Sequence, residues 1–393
     1  MVSERTTPSD LHVIFGTGPA GRAVMRELLA RGKRVRMVNR SGAGELPAVV
    51  ELLAGDAADR HFARQASAGA TVVYQCLSPP YHRWPELFPR LQAGVVEGAA
   101  AAGARLVALE NLYMYGPTYG KPLTEKRSMT AMSRKGRVRM EMSEALLQAH
   151  AKGRVKVAIG RASDFFGPGV RLSALGEQVF GAAVRGQPAS VLGDIDQPHT
   201  YSYISDVGRA LVLLGQRDEA LGEVWHLPSP PTVTTRELLE MIYAEAGQPL
   251  RARGAGNWTV RLLGFFKPHL GELAEMMYLF KESFVVDHAK FTAAFGDLAT
   301  SLDEAVRSTV EWYRSEQAAK AEEGVAIEEA ANTEAAAQTE GVGELGEAPE
   351  ADGTETGEAA VKVGETGETG EPEEIERAEM TDAVEAADQK SIE

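Results

Sequence analysis

The sequence predicts an α/β protein built on a doubly wound parallel sheet, and two observations support this fold class. First, apolar runs of strand length alternate along the chain with longer stretches whose apolar residues recur at helical spacing. Second, the strand-like runs are mostly apolar throughout, as strands covered on both faces require. Regular alternation of strand and helix is typical of a parallel sheet with helices on both sides.

The first predicted unit consists of a strand, a glycine-rich loop, a helix and a second strand. Leu11–Phe15 and Arg34–Val38 are the two strands, and Gly32 ends the helix between them. The loop that leads into this helix reads Gly16-Thr17-Gly18-Pro19-Ala20-Gly21.

The three glycines of this loop have separate physical roles. Gly16 permits a tight turn out of the strand, Gly18 lets the backbone approach a pyrophosphate, and Gly21 lets the helix pack close to the sheet. The helix N-terminus adds free N–H groups and the positive end of the helix dipole. We therefore predict a dinucleotide site that includes all six loop residues. The alternative is a glycine-rich turn that binds nothing.

The end of the second strand bears on the choice between NAD and NADP. An NAD-selective site usually carries Asp or Glu here, which accepts hydrogen bonds from the ribose hydroxyls. This chain has the uncharged Asn39 followed by Arg40, whose guanidinium suits a 2′-phosphate. The sequence therefore favours NADP(H), with Asn39 and Arg40 as contacts. The alternative is a solvated Arg40 and a site that also accepts NAD.

Further cofactor contacts are expected where the next two strands end. The run Val49–Leu53 leads to Asp56, which is placed to accept a hydrogen bond from the adenine amino group. The run Thr71–Leu77 leads into a Ser-Pro-Pro turn on the ribose and nicotinamide side. The predicted contacts at this turn are Cys76, Leu77 and Ser78. Residues 104–109 and 155–160 predict the fifth and sixth strands, with a helix at 87–102 before the fifth.

Five sequence pieces together resemble a known family. They are the glycine-rich fingerprint at 16–28, the acid Asp56, the segment Asn111-Leu-Tyr-Met-Tyr-Gly116, the segment Gly160-Arg-Ala-Ser-Asp-Phe-Phe-Gly-Pro-Gly169, and Tyr203-Ile-Ser-Asp-Val207. In order and spacing they resemble the extended short-chain dehydrogenase/reductases, the NAD(P)-dependent epimerase/dehydratase group. The resemblance spans about 300 residues of the chain.

The resemblance implies a Rossmann core with a smaller C-terminal substrate lobe. We expect a flexible leader at 1–10 and a core at 11–166, to which 197–226 returns. The lobe and C-terminal helices would take 167–196 and 227–320, and a disordered acidic tail would follow at 321–393. The tail carries 23 acidic and 3 basic residues and no aromatic residue, so it has little apolar surface to bury.

The chain departs from the family pattern at the catalytic residues. Family members use a Ser or Thr at the end of the fifth strand, then a Tyr and a Lys four residues apart on the next helix. Counted without gaps, these positions hold Asn111, Gly136 and Met140. Only the later Glu of this helix is matched, at Glu144.

Other polar residues are candidates to replace the missing pair. Lys135 and Arg139 are four residues apart and therefore share a helical face, where either could hold the nicotinamide ribose or steady an oxyanion. Gly136 would leave space for a larger substrate or a water. Asn111 could hydrogen-bond a carbonyl or hydroxyl group of the substrate, or it could cap the end of the strand. Tyr113 and Tyr115 would share one face of the strand end, so sequence reasoning does not separate a site tyrosine from a core tyrosine.

Weaker candidates have a structural interpretation that we prefer. His199 could line the substrate site, although a core or surface position is more usual, and Asp206 is interpreted as structural. The apolar stretch Thr259–Phe280 predicts lobe core or a lid over an apolar substrate pocket. The spacing of the eight His residues predicts no metal site.

Bulk properties limit the partners and the compartment. Residues 1–320 carry 38 basic and 33 acidic residues, too balanced to suggest nucleic acid. A single cysteine fits a reducing, cytoplasmic compartment, and the apolar runs are shorter than the roughly 18 residues of a membrane span. By analogy with the family, the protein could form a homodimer.

The leading functional hypothesis is an NADP(H)-dependent oxidoreductase of carbonyl reductase or alcohol dehydrogenase type, acting on a small molecule with non-standard catalytic residues. The first alternative is a non-catalytic NADP(H)-binding sensor or scaffold, which the missing Tyr also favours. A nucleotide-sugar epimerase or dehydratase is the second alternative.

Overall fold

The computed structural model describes residues 10–255 and 275–340. Nearly all of the predicted leader, most of the apolar stretch 259–280 and the acidic chain beyond 340 lie outside the described residues. Residues up to Trp312 form one compact unit. Of the second unit, Tyr313–Glu393, the structure describes a helix that ends at Glu340.

The strands are β1 (Leu11–Phe15), β2 (Arg34–Asn39), β3 (Glu51–Ala54), β4 (Ala70–Gln75), β5 (Arg105–Glu110), β6 (Lys156–Arg161), β7 (Asp164–Phe166), β8 (Ala189–Leu192), β9 (Pro198–His199), β10 (Tyr201–Tyr203), β11 (Val224–His226), β12 (Val233–Thr234) and β13 (Ala252–Ala255). The α-helices are α1 (Pro19–Ala30), α2 (Arg60–Ser67), α3 (Trp84–Ala101), α4 (Arg134–Ala151), α5 (Ala182–Val184), α6 (Ile204–Gln216), α7 (Thr235–Glu245), α8 (Ala289–Phe295) and α9 (Leu302–Glu340).

Seven of these strands form one parallel sheet in the order β11-β6-β5-β4-β1-β2-β3. The prediction of a doubly wound parallel sheet is therefore confirmed. The strand order reverses between β1 and β4, which are neighbours in the sheet but not in the chain. At such a switch point the loops diverge and leave a crevice at the carboxyl ends of the strands.

Alternate residues of the strands supply two apolar layers, one on each face of the sheet. On one face Ile14 packs in a buried cluster with Val24 of α1 and Leu211 of α6. On the other face Val13 belongs to a cluster with Val95 of α3. Both faces are covered, which explains why the strands read as continuous apolar runs.

The third strand differs from its prediction by two residues at its start. We expected Val49–Leu53, and the strand is Glu51–Ala54. Val49 is 76% exposed, and the amide of Val50 donates to the carbonyl of Pro47 at 2.9 Å. Val49 and Val50 lie in this turn, and in the sequence this apolar pair looks the same as the start of a buried strand. The ends of the other five predicted strands differ by no more than two residues.

Within the described residues, three further strand pairs lie outside the main sheet. β10 pairs with β7, β12 with β9, and β13 with β8. β11 returns to the edge of the main sheet beside β6. The bounds that we expect for a separate substrate lobe stay a prediction.

Helix α9 extends to Glu340 and so includes residues 321–340, the first part of the predicted acidic tail. The bounds of that tail stay a prediction. This segment is rich in Ala and Glu, which have high helix propensity, and an acidic composition alone does not prevent a helix. The predicted disorder at 341–393 falls outside the described residues.

Candidate functional site

The glycine-rich loop between β1 and α1 has the geometry that a dinucleotide requires. Gly16 has φ +113°, and a Cβ on it would lie 2.6 Å from the carbonyl oxygen of Cys76. A Cβ on Gly21 would lie 2.0 Å from the carbonyl oxygen of Gly16. In contrast, a Cβ on Gly18 would meet nothing within 4 Å. Gly16 and Gly21 are therefore needed for packing, whereas Gly18 borders open space where a phosphate can approach.

The N-terminus of α1 presents its first amides without a side-chain cap. Gly18 is the N-cap residue, and Pro19 begins the helix. Arg22 links the loop to the chain near residue 45. Its Nε donates to the carbonyl oxygen of Thr17 at 2.9 Å, and its Nη1 donates to the carbonyl oxygen of Glu45 at 2.8 Å. Arg22 was missed by sequence reasoning, because its role depends on where the chain near residue 45 returns.

Asn39 shapes the turn that follows β2. Its amide nitrogen donates to the carbonyl of Ala43 at 2.8 Å and contacts Thr17 Oγ1 at 3.2 Å, and its carbonyl accepts from the amide of Gly42 at 2.7 Å. Arg40 is exposed, and it makes no hydrogen bond or ion pair with the part of the chain that the structure describes. Asn39 therefore orders the turn, and Arg40 remains available to an anion.

The remaining predicted cofactor residues also follow strand ends. Asp56, beyond β3, accepts a hydrogen bond from the amide of Ala58 at 2.9 Å. The amide of Cys76 donates to the carbonyl of Phe15 at 2.9 Å and so ties the end of β4 to β1. Burial raises the pKa of the Cys76 thiol to about 12. Leu77 and Ser78 continue the same turn. All these residues lie at the carboxyl edge of the sheet, and together they fit a dinucleotide.

The chain after β5 forms a short 3-10 helix at Tyr113–Tyr115, and this corrects one expectation. We expected Tyr113 and Tyr115 to share a face, as alternate residues of a strand do. In a 3-10 helix, residues two apart point in different directions. The structure therefore separates the two tyrosines that the sequence left together.

Tyr115 belongs to a buried polar network that crosses three strands. Glu110, Arg161 and His226 are register neighbours on β5, β6 and β11. Arg161 lies 3.0 Å from the Glu110 carboxylate and 2.6 Å from the Tyr115 hydroxyl, which is 2.8 Å from His226 Nε2. Tyr115 is fully buried. Its environment supports the core interpretation over a catalytic one.

Tyr113 lies in a different, aromatic environment. It stacks on Trp84 with ring centroids 5.9 Å apart, and Trp84 also contacts the Tyr81 ring, at a centroid distance of 5.0 Å. Burial and the Asp164 carboxylate raise the pKa of Tyr113, and burial is the larger cause. Sequence reasoning missed Tyr81 and Asp164. Both follow strand ends, after β4 and β6, which was the available signal.

Lys135 faces this aromatic group and is almost fully buried. Its ammonium lies 4.1 Å from the centroid of the Tyr81 ring and 3.8 Å from Glu275 Oε2. Burial lowers the pKa of Lys135 to about 8, with the Glu275 carboxylate opposing the effect. Glu275 also accepts a hydrogen bond from the backbone amide of Arg134.

Arg139 is also buried, but its surroundings are poor in acceptors. The guanidinium lies 4.6 Å from the Phe88 ring centroid and donates to the carbonyl of Leu109 at 3.2 Å. Its Nε has no hydrogen-bond partner among the described residues. Neither Lys135 nor Arg139 therefore faces solvent, and their proposed catalytic roles stay predictions.

Gly136 does not leave the open space that we expected. A Cβ at this position would lie 2.7 Å from the carbonyl oxygen of Tyr113 and 2.9 Å from Ser133 Oγ. The 3-10 helix after β5 therefore occupies the place into which a side chain at 136 would extend. Met140 is partly buried against an apolar cluster that contains Tyr115.

Asn111 and two of the weaker candidates have structural partners. Asn111 Oδ1 accepts from the amide of Tyr113 at 3.3 Å, which supports the structural cap. Asp206 is buried and accepts from both the amide and the hydroxyl of Thr300, at 2.8 and 2.7 Å. His199 is buried, with Nε2 3.0 Å from Asp164 Oδ2.

The described part of the chain consists of two ranges, 10–255 and 275–340. Neither range contains a group of three or more His, Cys, Asp or Glu side chains placed to hold a metal ion. No helix within them is both long and apolar enough to cross a bilayer.

Sheet topology and loop geometry together define a nucleotide-binding α/β protein of the doubly wound class. The chain belongs to the NAD dependent epimerase/dehydratase family, whose model matches residues 13–227, more than half of its length. Members of this class share a fold and differ in their sites, so relatives are useful mainly for suggesting substrates.

Three comparisons illustrate the range of similar proteins. The dTDP-6-deoxy-L-talose 4-dehydrogenase (NAD(P)(+)) of Kitasatospora kifunensis is 26% identical over 267 residues, which are 63% of this chain and 83% of that protein. The UDP-glucose 4-epimerase of Thermotoga maritima, solved with UDP-glucose, superposes with a TM-score of 0.65 at 16% identity, covering 78% of this chain and 99% of that one. MoeE5, solved with UDP-glucuronic acid and NAD, gives 0.63 at 21% identity, with 78% and 99% covered.

Proposed function

We propose that the protein is an NAD(P)-dependent enzyme that acts at a hydroxyl-bearing carbon of a nucleotide-linked sugar. The observation that carries this proposal is the buried, cationic and aromatic group next to an intact dinucleotide cradle. Lys135 lies over the Tyr81 ring, and Tyr81 and Tyr113 both contact Trp84. These residues lie where β4 and β5 end, on the side where the Ser-Pro-Pro turn is expected to meet the nicotinamide. The three relatives described above act on or bind sugar nucleotides, which supports this substrate class over a simple carbonyl compound.

The glycine-rich loop would hold the pyrophosphate of the cofactor, and Asp56 its adenosine end. We favour NADP(H), because Arg40 is exposed and without a partner in the described chain, and Asn39 is uncharged. A bound nicotinamide supplies or accepts the hydride. We expect Arg40→Ala to weaken NADPH binding at least about tenfold and to leave NADH binding unchanged, as loss of a charge-assisted contact implies. Calorimetric titration of both cofactors checks this, and equal weakening of both would contradict it.

Lys135 is our candidate for the proton-transferring group. A general acid or base works best with a pKa near the working pH, and the pKa of Lys135 is lowered to about 8. The phenols of Tyr81 and Tyr113 have raised pKa values, so they remain neutral and can donate hydrogen bonds to the reacting oxygen. Glu275 would hold the Lys135 ammonium in place.

The direction of the pH dependence follows from this assignment. Reduction of a sugar ketone needs protonated Lys135, so its rate should be constant below about pH 8 and fall above it. Oxidation of a sugar alcohol needs the neutral amine, so its rate should rise towards pH 8. Lys135→Met should lower turnover at least about a hundredfold, in line with typical general acid–base contributions, and abolish the inflection near pH 8.

The test combines product analysis with nicotinamide absorbance over UDP-glucose, UDP-galactose and dTDP-glucose. A net absorbance change indicates a dehydrogenase, and a new sugar without one indicates an epimerase or dehydratase. Lys152→Met, an exposed lysine at the end of α4, is the matched control and should retain full turnover. An unaltered rate in Lys135→Met would exclude Lys135 as the acid or base.

The second candidate function is a non-catalytic NADP(H)-binding sensor or scaffold. The tight packing around Gly136 favours it, because the position of the family Tyr is closed to any side chain. Strong cofactor binding with no product from any substrate of the panel would support this candidate. The earlier suggestion of a homodimer stays a prediction.

A further inference from the structure

Asp164 lies in the segment 160–169, and the proposed function assigns it no role. It is the first residue of β7, just beyond the end of β6, and pairs in register with Tyr201 of β10. Burial is the largest cause of the raised pKa values of Tyr81, Tyr113 and Tyr201, and the negative charge of Asp164 raises all three further. The carboxylate therefore acts electrostatically on phenols that come from three separate segments.

His199 fixes the orientation of this carboxylate. The imidazole is 3% exposed and is stacked on Phe280, with centroids 5.4 Å apart and planes within 3°. It also contacts the rings of Tyr201 and Phe284, at centroid distances of 4.5 and 5.0 Å. Its Nε2 lies 3.0 Å from Asp164 Oδ2. Rings packed in this way cannot turn freely, so the hydrogen bond has a defined direction.

The second oxygen of Asp164 remains available. The side chain is 23% exposed, and Oδ1 accepts no hydrogen bond from the described part of the chain. No Lys or Arg of that part forms an ion pair with Asp164, whereas Glu110, across the same strand ends, is paired with Arg161. An ionised carboxylate accepts hydrogen bonds and donates none, so it suits a hydroxyl group and repels another anion.

We propose that Asp164, held by His199, accepts a hydrogen bond from a hydroxyl group of the substrate sugar and excludes a carboxylate from that position. The assignment rests on the proposed function, which it narrows to neutral hexose nucleotides over the corresponding uronates. Asp164 would therefore determine which sugar nucleotide binds, whereas Lys135 would transfer the proton.

The test is binding, not turnover. UDP-glucose and UDP-glucuronic acid are titrated calorimetrically into the full chain loaded with oxidised cofactor. We expect the protein to bind UDP-glucose at least about tenfold more tightly, the scale of one charge-assisted hydrogen bond. Asp164→Asn keeps the size of the side chain and removes its charge. It should reduce the preference below about threefold, by weakening UDP-glucose and strengthening UDP-glucuronic acid.

Two other variants separate this role from a structural one. Asp218→Asn makes the same charge change at an exposed ion pair with Arg105, at the start of β5, and should leave the preference unaltered. His199→Gln removes the stacked ring and keeps the Asp164 charge, so it should weaken UDP-glucose and retain discrimination against the uronate. If Asp164→Asn does not fold, His199→Gln still tests whether the His199–Asp164 pair contributes to UDP-glucose binding.

The outcomes distinguish the two proposals. Equal affinity for the two sugars, or a preference that Asp164→Asn does not change, would overturn the role of Asp164 and leave the proposed function standing. Binding of cofactor with no binding of either sugar nucleotide would overturn the proposed function, and the role of Asp164 with it.

Discussion

At the scale of single residues, Gly136 decides how the site is built. The catalytic Tyr of the resemblance would stand here, yet the carbonyl of Tyr113 and the hydroxyl of Ser133 leave no room for a Cβ. The side chains that we propose as functional therefore come from the loops after β4 and β5 and from Lys135, one residue earlier on the helix. Gly at position 136 is thus matched to the close approach of the backbone that faces it.

We expect Gly136→Ala to destabilise the protein by about 1–3 kcal/mol, the usual cost of overpacking a well-packed position. Without the contact, Ala would stabilise a helix interior by up to about 1 kcal/mol relative to Gly. Urea unfolding at neutral pH measures the difference. Glu144→Ala, on an exposed turn of the same helix, should change stability by less than about 0.5 kcal/mol. If Gly136→Ala instead made the protein more stable, the backbone around Tyr113 would have to move aside at little cost in free energy.

The geometry of the glycine-rich loop could be predicted from the sequence, and the surroundings of the candidate catalytic residues could not, for a physical reason. The roles of Gly16, Gly18 and Gly21 depend on local backbone geometry, which a short motif specifies. The separation of Tyr113 from Tyr115 depends on a 3-10 helix, and the placement of Asp164 on pairing between distant strands. Such long-range contacts leave no periodic signal in the sequence.

At the scale of elements, the buried network across β5, β6 and β11 holds the strand ends that carry the site. Glu110, Arg161 and His226 are neighbours in register. The hydroxyl of Tyr115, from the 3-10 helix after β5, contacts both Arg161 and His226. Breaking a buried pair costs far more than its net contribution to stability, so the network specifies this alignment.

The network should make stability depend on pH below neutrality. Burial lowers the pKa of His226 to about 4 from an ordinary value of 6.5. Between these values the unfolded chain binds more protons than the folded one, so the free energy of unfolding should fall as the pH falls from 6.5 towards 4. Urea unfolding at closely spaced pH values measures this slope.

The contribution of His226 can be isolated by comparison with another histidine. His226→Gln should lower stability at pH 7 and flatten the slope between pH 6.5 and 4. His61→Gln, an exposed residue of α2, should leave both unchanged. A slope that persists in His226→Gln would assign the acid sensitivity to other groups.

At the scale of the whole molecule, the doubly wound parallel sheet and the alternation of strand and helix were correctly predicted. Both follow from burial on two faces and from the right-handed crossovers that parallel strands require. At the C-terminal end of the described chain, Ala and Glu favour a helix, and helix α9 extends to Glu340.

Gly18→Ala should separate folding from cofactor binding. Its Cβ would meet nothing within 4 Å, so stability without cofactor should change by less than about 0.5 kcal/mol. A cofactor at a hundred times its dissociation constant stabilises the native state by about 2.7 kcal/mol, and most of this gain should be lost because the methyl group enters the phosphate cradle. Thermal unfolding with and without NADPH measures both quantities.

Gly21→Ala is the contrasting variant. Its Cβ would lie 2.0 Å from the carbonyl oxygen of Gly16, so the protein should be destabilised even without cofactor. Equal behaviour of the two variants would contradict the separate roles that we assign to these glycines.

The close approach of the 3-10 helix to Gly136 also has an evolutionary consequence. A mutation that placed Tyr at 136 would put its side chain against the Tyr113 carbonyl, so the backbone after β5 would have to move as well. Acquiring the family Tyr at this position therefore requires at least one further change that moves this backbone.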